Sequence, residues 1–558
     1  MPEEHASPAS AVAGHAGSGP RQALLRALLG SLGFANLCAL NLWHRVQALQ
    51  DRSLDYYRAA PPGHSLFAAT VLVVLAVAVF FFLISSLARR IRQPLLRRAF
   101  GALFLSAFLI PAYLLHDVLL NLDLSPRMLT LAKLLLFPLY FAVLYGVVSY
   151  LVTGNQKFVQ AGARLNLVFS PLVFVSIASY AIWAVKDAPT AVDFSVPRFP
   201  REQSVPRQFS TRILWLIFDE FDYDIGFARR PQDLTLPELD RLRHESFFAG
   251  DAYPPAGATL MAMPSLINGR SCGWAEADGP STLRLKSGDG GWGTWVSSET
   301  VFARMCERGA QVGVVGWFHP YCRMFPDVLS SCVFVPATWS ALLAREAQAR
   351  ELGPWRSAWY LLRSQLALLP LVPKGIVPDI PTVARVQQLR EFREVHRQAL
   401  EQAGKPDLGL VLVHYPVPHP YGIYDRRTGT FSTAAGYTYV DNLVLADRII
   451  GELRREVERA GLWDRTTWIV SSDHALRSWW DRSLIGMEPV PQGSKREGEG
   501  RVPFIIRLPG EQQGREYPHT VNTVITARLI MAIAGGKVRS SDDLENWLRS
   551  AGSEPAAR

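Results

Sequence analysis

The chain has 558 residues, 49% of them apolar, with 58 basic side chains against 49 acidic ones and five cysteines. That length exceeds one ordinary domain, and the apolar share points to a membrane portion joined to a soluble one. The formal charge of +9 is assigned to loop arginines and a surface near anionic lipid, since no recognition-helix or RNA-binding signature accompanies it; nucleic acid is excluded as a partner.

Residues 1–20 are mostly Ala, Gly, Ser and Pro and read as a disordered cytoplasmic tail. Five apolar segments follow, at roughly 27–43, 65–88, 100–120, 130–152 and 165–185, each of a length to cross hydrocarbon, so residues 21–186 are expected to form a five-helix transmembrane bundle. The first is the weakest, being short and carrying Asn36 and Asn41; a cleaved signal peptide is its alternative, although no good small-residue cleavage site follows it. Arg89, Arg90, Arg92, Arg97 and Arg98 lie between the second and third segments, whereas Arg127 stands alone after the third. This asymmetry puts the tail in the cytoplasm and everything after Lys186 outside, against the contrary weight of Arg45, Arg52 and Arg58. His116 and Asp117, near the outer end of the third segment, either serve a function or snorkel to the interface.

Residues 187–210, with four prolines, read as an extended linker, and residues 211–545 as a soluble catalytic domain before a short tail at 546–558. Strand candidates are Ile213–Phe218, Gln311–Gly316, Leu408–His414, Thr466–Ser471 and Val502–Leu508; helices are expected at 236–247, 299–308, 384–402, 437–460 and 521–534. Continuous apolar strands separated by helices predict an α/β domain with a mostly parallel sheet covered on both faces, its ligand beyond the carboxyl ends of the strands. Polar residues stand there: Asp219 and Glu220, His414 and His419, Asp473 and His474. Residues 338–383, with Trp339, Trp355 and Trp359 among arginines, are an insertion that either lies on the membrane surface or forms a buried helical hairpin. Four cysteines in the soluble part fit an oxidising compartment; Cys322 and Cys332 are close enough to staple one loop, which would leave Cys272 with Cys306, although four cysteines allow three pairings.

The stretch Ala258–Arg270 reads as a helix start. Tyr253–Gly257 is a turn-rich approach, Thr259 stands at the N-cap position, and apolar residues recur at helical spacing until Asn268 and Gly269 stop them. The positive end of that helix favours a bound anion. Asp219, Asp473 and His474 supply ligands suited to zinc, manganese or magnesium, and a hydroxyl-bearing helix start between the first two strands adds a nucleophile.

Ile213–Glu220, Thr259–Arg270, Val417–Tyr421 and Ser471–His474, in that order, resemble the alkaline phosphatase and sulfatase superfamily. Combined with the expected anchor, they resemble its lipoteichoic acid synthase and lipid A phosphoethanolamine transferase type, in a bacterial inner membrane with the catalytic domain in the periplasm. The resemblance implies Asp219, Thr259, Asp473 and His474 as metal ligands, Glu220 as a second acid, and His414 and His419 as holders of the departing or incoming group. Sulfatases of the superfamily carry a Cys or Ser that becomes formylglycine; here Thr259 stands in its place, with Met261 and Met263 where the Pro and Arg of the modification signal would be. A metal-activated Thr alkoxide suits phosphoryl transfer instead. The expected activity is transfer of a phosphoethanolamine- or phosphoglycerol-type headgroup from a membrane phospholipid to an envelope glycan or lipid, through a phospho-threonine enzyme. The alternatives are a phosphodiesterase, phosphatase or sulfatase-like hydrolase at the same site, or an inactive assembly or sensing protein. The last is suggested by Ala475, where the family usually has glycine after the Asp-His pair.

Overall fold

The computed structural model describes residues 19–60, 63–120, 126–186, 194–196, 211–288, 290–337, 341–368, 380–480, 482–487 and 499–553. The expected N-terminal tail, nearly all of the linker, the prolines after Leu368 and the side chains of His116 and Asp117 lie outside the described residues. The chain forms two compact units. Among the described residues, 19–48, 64–186 and 352–368 belong to the first, and the remainder, including 49–60, to the second.

In the first unit, three helices are long and apolar enough to cross a membrane, at Ser65–Arg90, Pro94–Leu114 and Lys157–Val185. They coincide with the second, third and fifth predicted segments. On Ser65–Arg90 the large side chains Leu75, Val79, Phe80, Leu83 and Leu87 are exposed, an outward apolar face that lipid would satisfy and water would not. The first predicted segment is a pair, Pro20–Cys38 and Leu40–Ala48, bent by 62° and passing the same test only together. The fourth lies in a helix, Pro126–Thr153, that contains Pro138; its described apolar part, Pro138–Thr153, is shorter than a span. An apolar cavity of about 1300 Å³ opens in this unit, lined by Phe34, Val73, Phe81 and Phe104, with Arg26 and Arg97 among its polar lining.

The second unit is built on an eight-stranded sheet: β1 Arg212–Asp219, β2 Phe247–Ala249, β3 Gln311–Trp317, β4 Ser331–Val335, β5 Leu408–Pro418, β6 Thr466–Ser472, β7 Phe504–Arg507 and β8 Arg515–Tyr517. Its order is β8-β2-β7-β6-β1-β5-β3-β4, with β7 antiparallel to both neighbours and every other pairing parallel. β1 is buried at every position, with Ile213, Trp215 and Ile217 entering one apolar cluster and Leu214, Leu216 and Phe218 the other. A strand covered on both faces reads as a continuous apolar run, which is why sequence alone finds it. The strands β2, β4 and β8, three, five and three residues long, are too short for such a run to stand out, and they are absent from the predicted elements. β2 also takes Phe247 from the expected helix 236–247, which ends as Pro237–His244.

The helix Tyr439–Arg459 begins where expected because Thr438 and Asp441 form a reciprocal capping box. The insertion divides. Helix Ala341–Leu368 breaks at Gly353, whose φ of 70° is followed by Pro354, and 352–368 join the first unit; Ile380–Ala403 packs against β5 in the second. The expected Cys322–Cys332 disulfide is present. Cys272 is not joined to Cys306; its thiol donates to the carbonyl of Trp274 at 3.0 Å, at the start of a three-stranded meander absent from the predicted elements.

Candidate metal centre and active site

Register creates the site. Phe218 of β1 is aligned with Ser472 of β6, so Asp219 and Asp473 emerge side by side where these parallel strands end. His414 on β5 is aligned with Ile217, on the same face as Asp219 two residues on. Asp219, Asp473 and His474 are fully buried and bring one ligand atom each within 4.8 Å of one another.

Thr259 closes this cluster. The structure corrects its expected role as a cap: Ala258 is the N-cap, in extended conformation and without a side-chain cap bond, and Thr259 is the first residue of the helix Thr259–Asn268. Its side chain is thereby free to turn inward. The hydroxyl donates to Asp473 Oδ2 at 2.7 Å, and lies 3.4 Å from Asp219 Oδ1 and 3.3 Å from His474 Nε2. Gly269, at φ 75°, ends the helix where predicted.

The rings have defined tautomers. His474 Nδ1 donates to the Ala475 carbonyl at 3.0 Å, which leaves the Nε2 lone pair facing Thr259 and Arg477. His414 Nδ1 donates to the Trp317 carbonyl at 3.1 Å; its Nε2 has no hydrogen-bond partner and lies 4.0 Å from Asp473 Oδ2. Asp219 Oδ2 is likewise buried without a partner. Burial, then the charges of Asp473 and Glu220, push the Asp219 carboxyl well above the usual carboxylate range. The orphaned Asp219 oxygen, two adjacent carboxylates and the unprotonated Nε2 of His474 fit a divalent cation, which would offset the acidic charge and use the idle lone pairs.

Glu220, implied as a second acid, has other side-chain partners. Its Oε1 accepts from Arg477 at 2.6 Å and its Oε2 from the Trp480 indole at 2.8 Å, so both oxygens are committed outside the three-residue cluster. Burial raises it to about 8 while Arg477 and Trp480 pull it back down. It also adopts φ 62°, in the left-handed region that non-glycine residues rarely occupy. His419 lies at the rim: its ring packs edge-on against Trp480 with centroids 5.2 Å apart, and its main chain is fixed to Asp219 and Asn442. Burial, then Arg477 and His474, lower its ring to about 3, keeping it neutral. Arg477, Trp480 and Tyr56 were missed by sequence reasoning. A cation three residues after His474 is a readable signal for Arg477; nothing local distinguishes the other two.

No protein-family model and no curated protein matches the chain by sequence. Among solved structures it is similar to Ps i-CgsB, at 18% identity over 61% of this chain and 76% of that one, TM-score 0.39. It is similar to the phosphonate monoester hydrolase of Agrobacterium radiobacter, at 15% identity over 58% and 74%, TM-score 0.37. A protein in the alkaline phosphatase superfamily from Vibrio parahaemolyticus shares 14% identity over 62% and 71%, TM-score 0.34. Likeness at this level assigns no residue a role.

Proposed function

We propose that the chain is a membrane-anchored, metal-dependent enzyme of the alkaline phosphatase and sulfatase type, which takes a phospho-alcohol headgroup from a phospholipid onto Thr259 and passes it to a hydroxyl acceptor on an envelope glycan or lipid. One observation carries this reading: the buried Thr259 hydroxyl donates to Asp473 at 2.7 Å inside the Asp219, Asp473 and His474 cluster.

A divalent ion held by Asp219, Asp473 and His474 would lower the hydroxyl pKa and offset charge on the phosphoryl oxygens. The Thr259 proton passes to Asp473 Oδ2 as Oγ1 bonds to phosphorus; the bond from phosphorus to the diacylglycerol oxygen breaks with its electron pair on that oxygen, which takes up the same proton so that diacylglycerol leaves as the neutral alcohol. The start of the Thr259–Asn268 helix directs its positive end at the same oxygens. In the second half, the unpartnered Nε2 of His414 accepts the proton of the attacking hydroxyl, since its Nδ1 proton is already committed to Trp317; the bond from phosphorus to Thr259 Oγ1 breaks, and that proton is returned to Oγ1. His419 and Trp480 line the rim where the departing or incoming group would lie. The apolar cavity and helices of the first unit support a lipid donor. Met261 and Met263 stand where the Pro and Arg of the sulfatase modification signal would be, which favours phosphoryl over sulfuryl chemistry.

The test is to incubate full-length protein and manganese or zinc with vesicles of headgroup-labelled phosphatidylethanolamine or phosphatidylglycerol, and to search for label on Thr259 by mass spectrometry. Label on Thr259, absent in Thr259→Ala, supports transfer. Release of free phospho-alcohol without labelled protein favours the hydrolase reading. No turnover of either lipid or of bis(para-nitrophenyl) phosphate with manganese or with zinc counts against both.

A further inference from the structure

Thr259 is also held from a side that the acid cluster does not explain. Its backbone carbonyl lies 3.1 Å from His319 Nε2, and His319 Nδ1 lies 2.7 Å from the Tyr56 hydroxyl; His319 and Tyr56 are both wholly buried. A carbonyl oxygen only accepts, so Nε2 carries the ring proton and donates it. Nδ1 of the same neutral ring then accepts, and Tyr56 must donate. The hydrogen bonds run in one direction, from the Tyr56 O–H through the imidazole to the first carbonyl of the Thr259–Asn268 helix. The other neighbour of that hydroxyl, Met324 Sδ at 3.2 Å, is a weak acceptor and does not compete.

Tyr56 comes from an unexpected part of the chain. It lies between the first two apolar segments, yet residues 49–60 belong to the second unit. Asp51 caps a short 3₁₀-helix, Arg52–Tyr57, by accepting from Ser53 N at 2.9 Å. Arg323 then clamps the turn, donating to the carbonyls of Tyr56 and Arg58 at 2.9 and 2.8 Å. Arg323 follows Cys322, which is tied to Cys332, so the clamp stands on a cross-linked segment. The Tyr57 ring packs edge-on against Phe318 at 5.0 Å, and Phe318, next to His319, sits at φ 69°. Such a conformation persists only where its surroundings over-determine it.

We infer that Tyr56 is a positioning residue for Thr259, acting through His319, so that the segment between the first two apolar helices completes the reaction centre. This rests on the reading of Thr259 as nucleophile. A brace on the helix's first carbonyl restrains the residue that must present Oγ1 in line with phosphorus, and a misplacement of a fraction of an ångström there is costly. It also makes the reaction centre depend on a segment that precedes residues 211–545 in the chain, so a fragment beginning at residue 211 would lack part of it.

The test uses the full-length chain and three variants: Tyr56→Phe, His319→Ala and the two combined. Tyr56→Phe keeps the buried ring and removes only the donor. Expected are a fall in kcat of about tenfold for bis(para-nitrophenyl) phosphate with KM within about twofold, and a double variant no slower than His319→Ala alone. Hydrogen exchange over 259–268 should rise about tenfold in Tyr56→Phe while that over 439–459 stays unchanged. Unchanged exchange over 259–268, or independent losses that multiply in the double variant, would overturn the inference. If the wild type turns over no phosphodiester yet exchange responds as expected, the nucleophile reading fails and the brace stands.

Discussion

The hydroxyl of Thr259 donates to Asp473 Oδ2 at 2.7 Å across 214 residues of sequence. Neither partner has a local reason to be buried: a helix-start threonine ordinarily faces solvent as a cap, and an aspartate after a strand ordinarily caps the next helix. Their meeting in a fully desolvated cluster is what turns two ordinary positions into a reaction centre.

Removal of either partner should be severe for turnover. Thr259→Ala is expected to lower kcat/KM by roughly a thousandfold, Asp473→Asn by a comparable factor, and Thr259→Ser by far less because the oxygen is retained. Steady-state assays with a chromogenic phosphodiester, alongside circular dichroism, check this; equal activity in Thr259→Ala and wild type would remove Thr259 from the chemistry.

Metal should stabilise the second unit, because it binds the folded cluster and not the unfolded chain. At a hundredfold excess over Kd the gain is about 2.7 kcal/mol, a rise in melting temperature of several degrees. Asp219 has its carboxyl raised by burial, then by Asp473 and Glu220. Asp219→Asn should therefore raise the melting temperature of the chelator-treated protein while abolishing the increment on adding manganese or zinc. Thermal scans with and without chelator distinguish this from a purely structural cluster, in which metal makes no difference.

Asp447 offers a pH prediction away from the site. Its Oδ1 accepts from Leu239 N at 2.7 Å, linking two helices, and burial raises it to about 7 although that hydrogen bond opposes the shift. Because the folded value lies above the unfolded one near 3.9, the folded state binds the extra proton, and stability is lost as pH rises from about 4 through 7. Asn keeps the acceptor and cannot ionise. Asp447→Asn is expected to gain about 1–2 kcal/mol at pH 8 and nothing at pH 4, readable as a flatter curve of melting temperature against pH.

The Cys322–Cys332 disulfide closes a loop with a sequence separation of 10. Loop-closure entropy at that length is worth about 2–3 kcal/mol, so the double Cys→Ser variant should melt several degrees lower. Turnover should fall as well, since Arg323 and His319 flank Cys322. A variant that melts lower but keeps full kcat would separate the two effects.

Sequence by itself determined the strand-rich α/β character of the second half, because β1, β5 and β6 are buried on both faces and must be apolar throughout. It also determined the helix Thr259–Asn268, whose stop at Gly269 is a local property of the backbone, and that Cys322 and Cys332 lie close enough to pair, while the choice among three pairings was left to the fold. Asp219, Asp473 and His474 were legible as a set because each ends or follows an apolar run. Only the tertiary structure decided what depends on long-range register and burial. It turned Glu220 to Arg477 and Trp480, left Cys272 a thiol apart from Cys306, bent the first apolar segment, and carried Tyr56 under His319. These outcomes share a physical reason. A local pattern records which face of an element is apolar, whereas hydrogen-bond partners of a buried polar group are chosen among all the groups the fold brings to it, and those lie hundreds of residues apart.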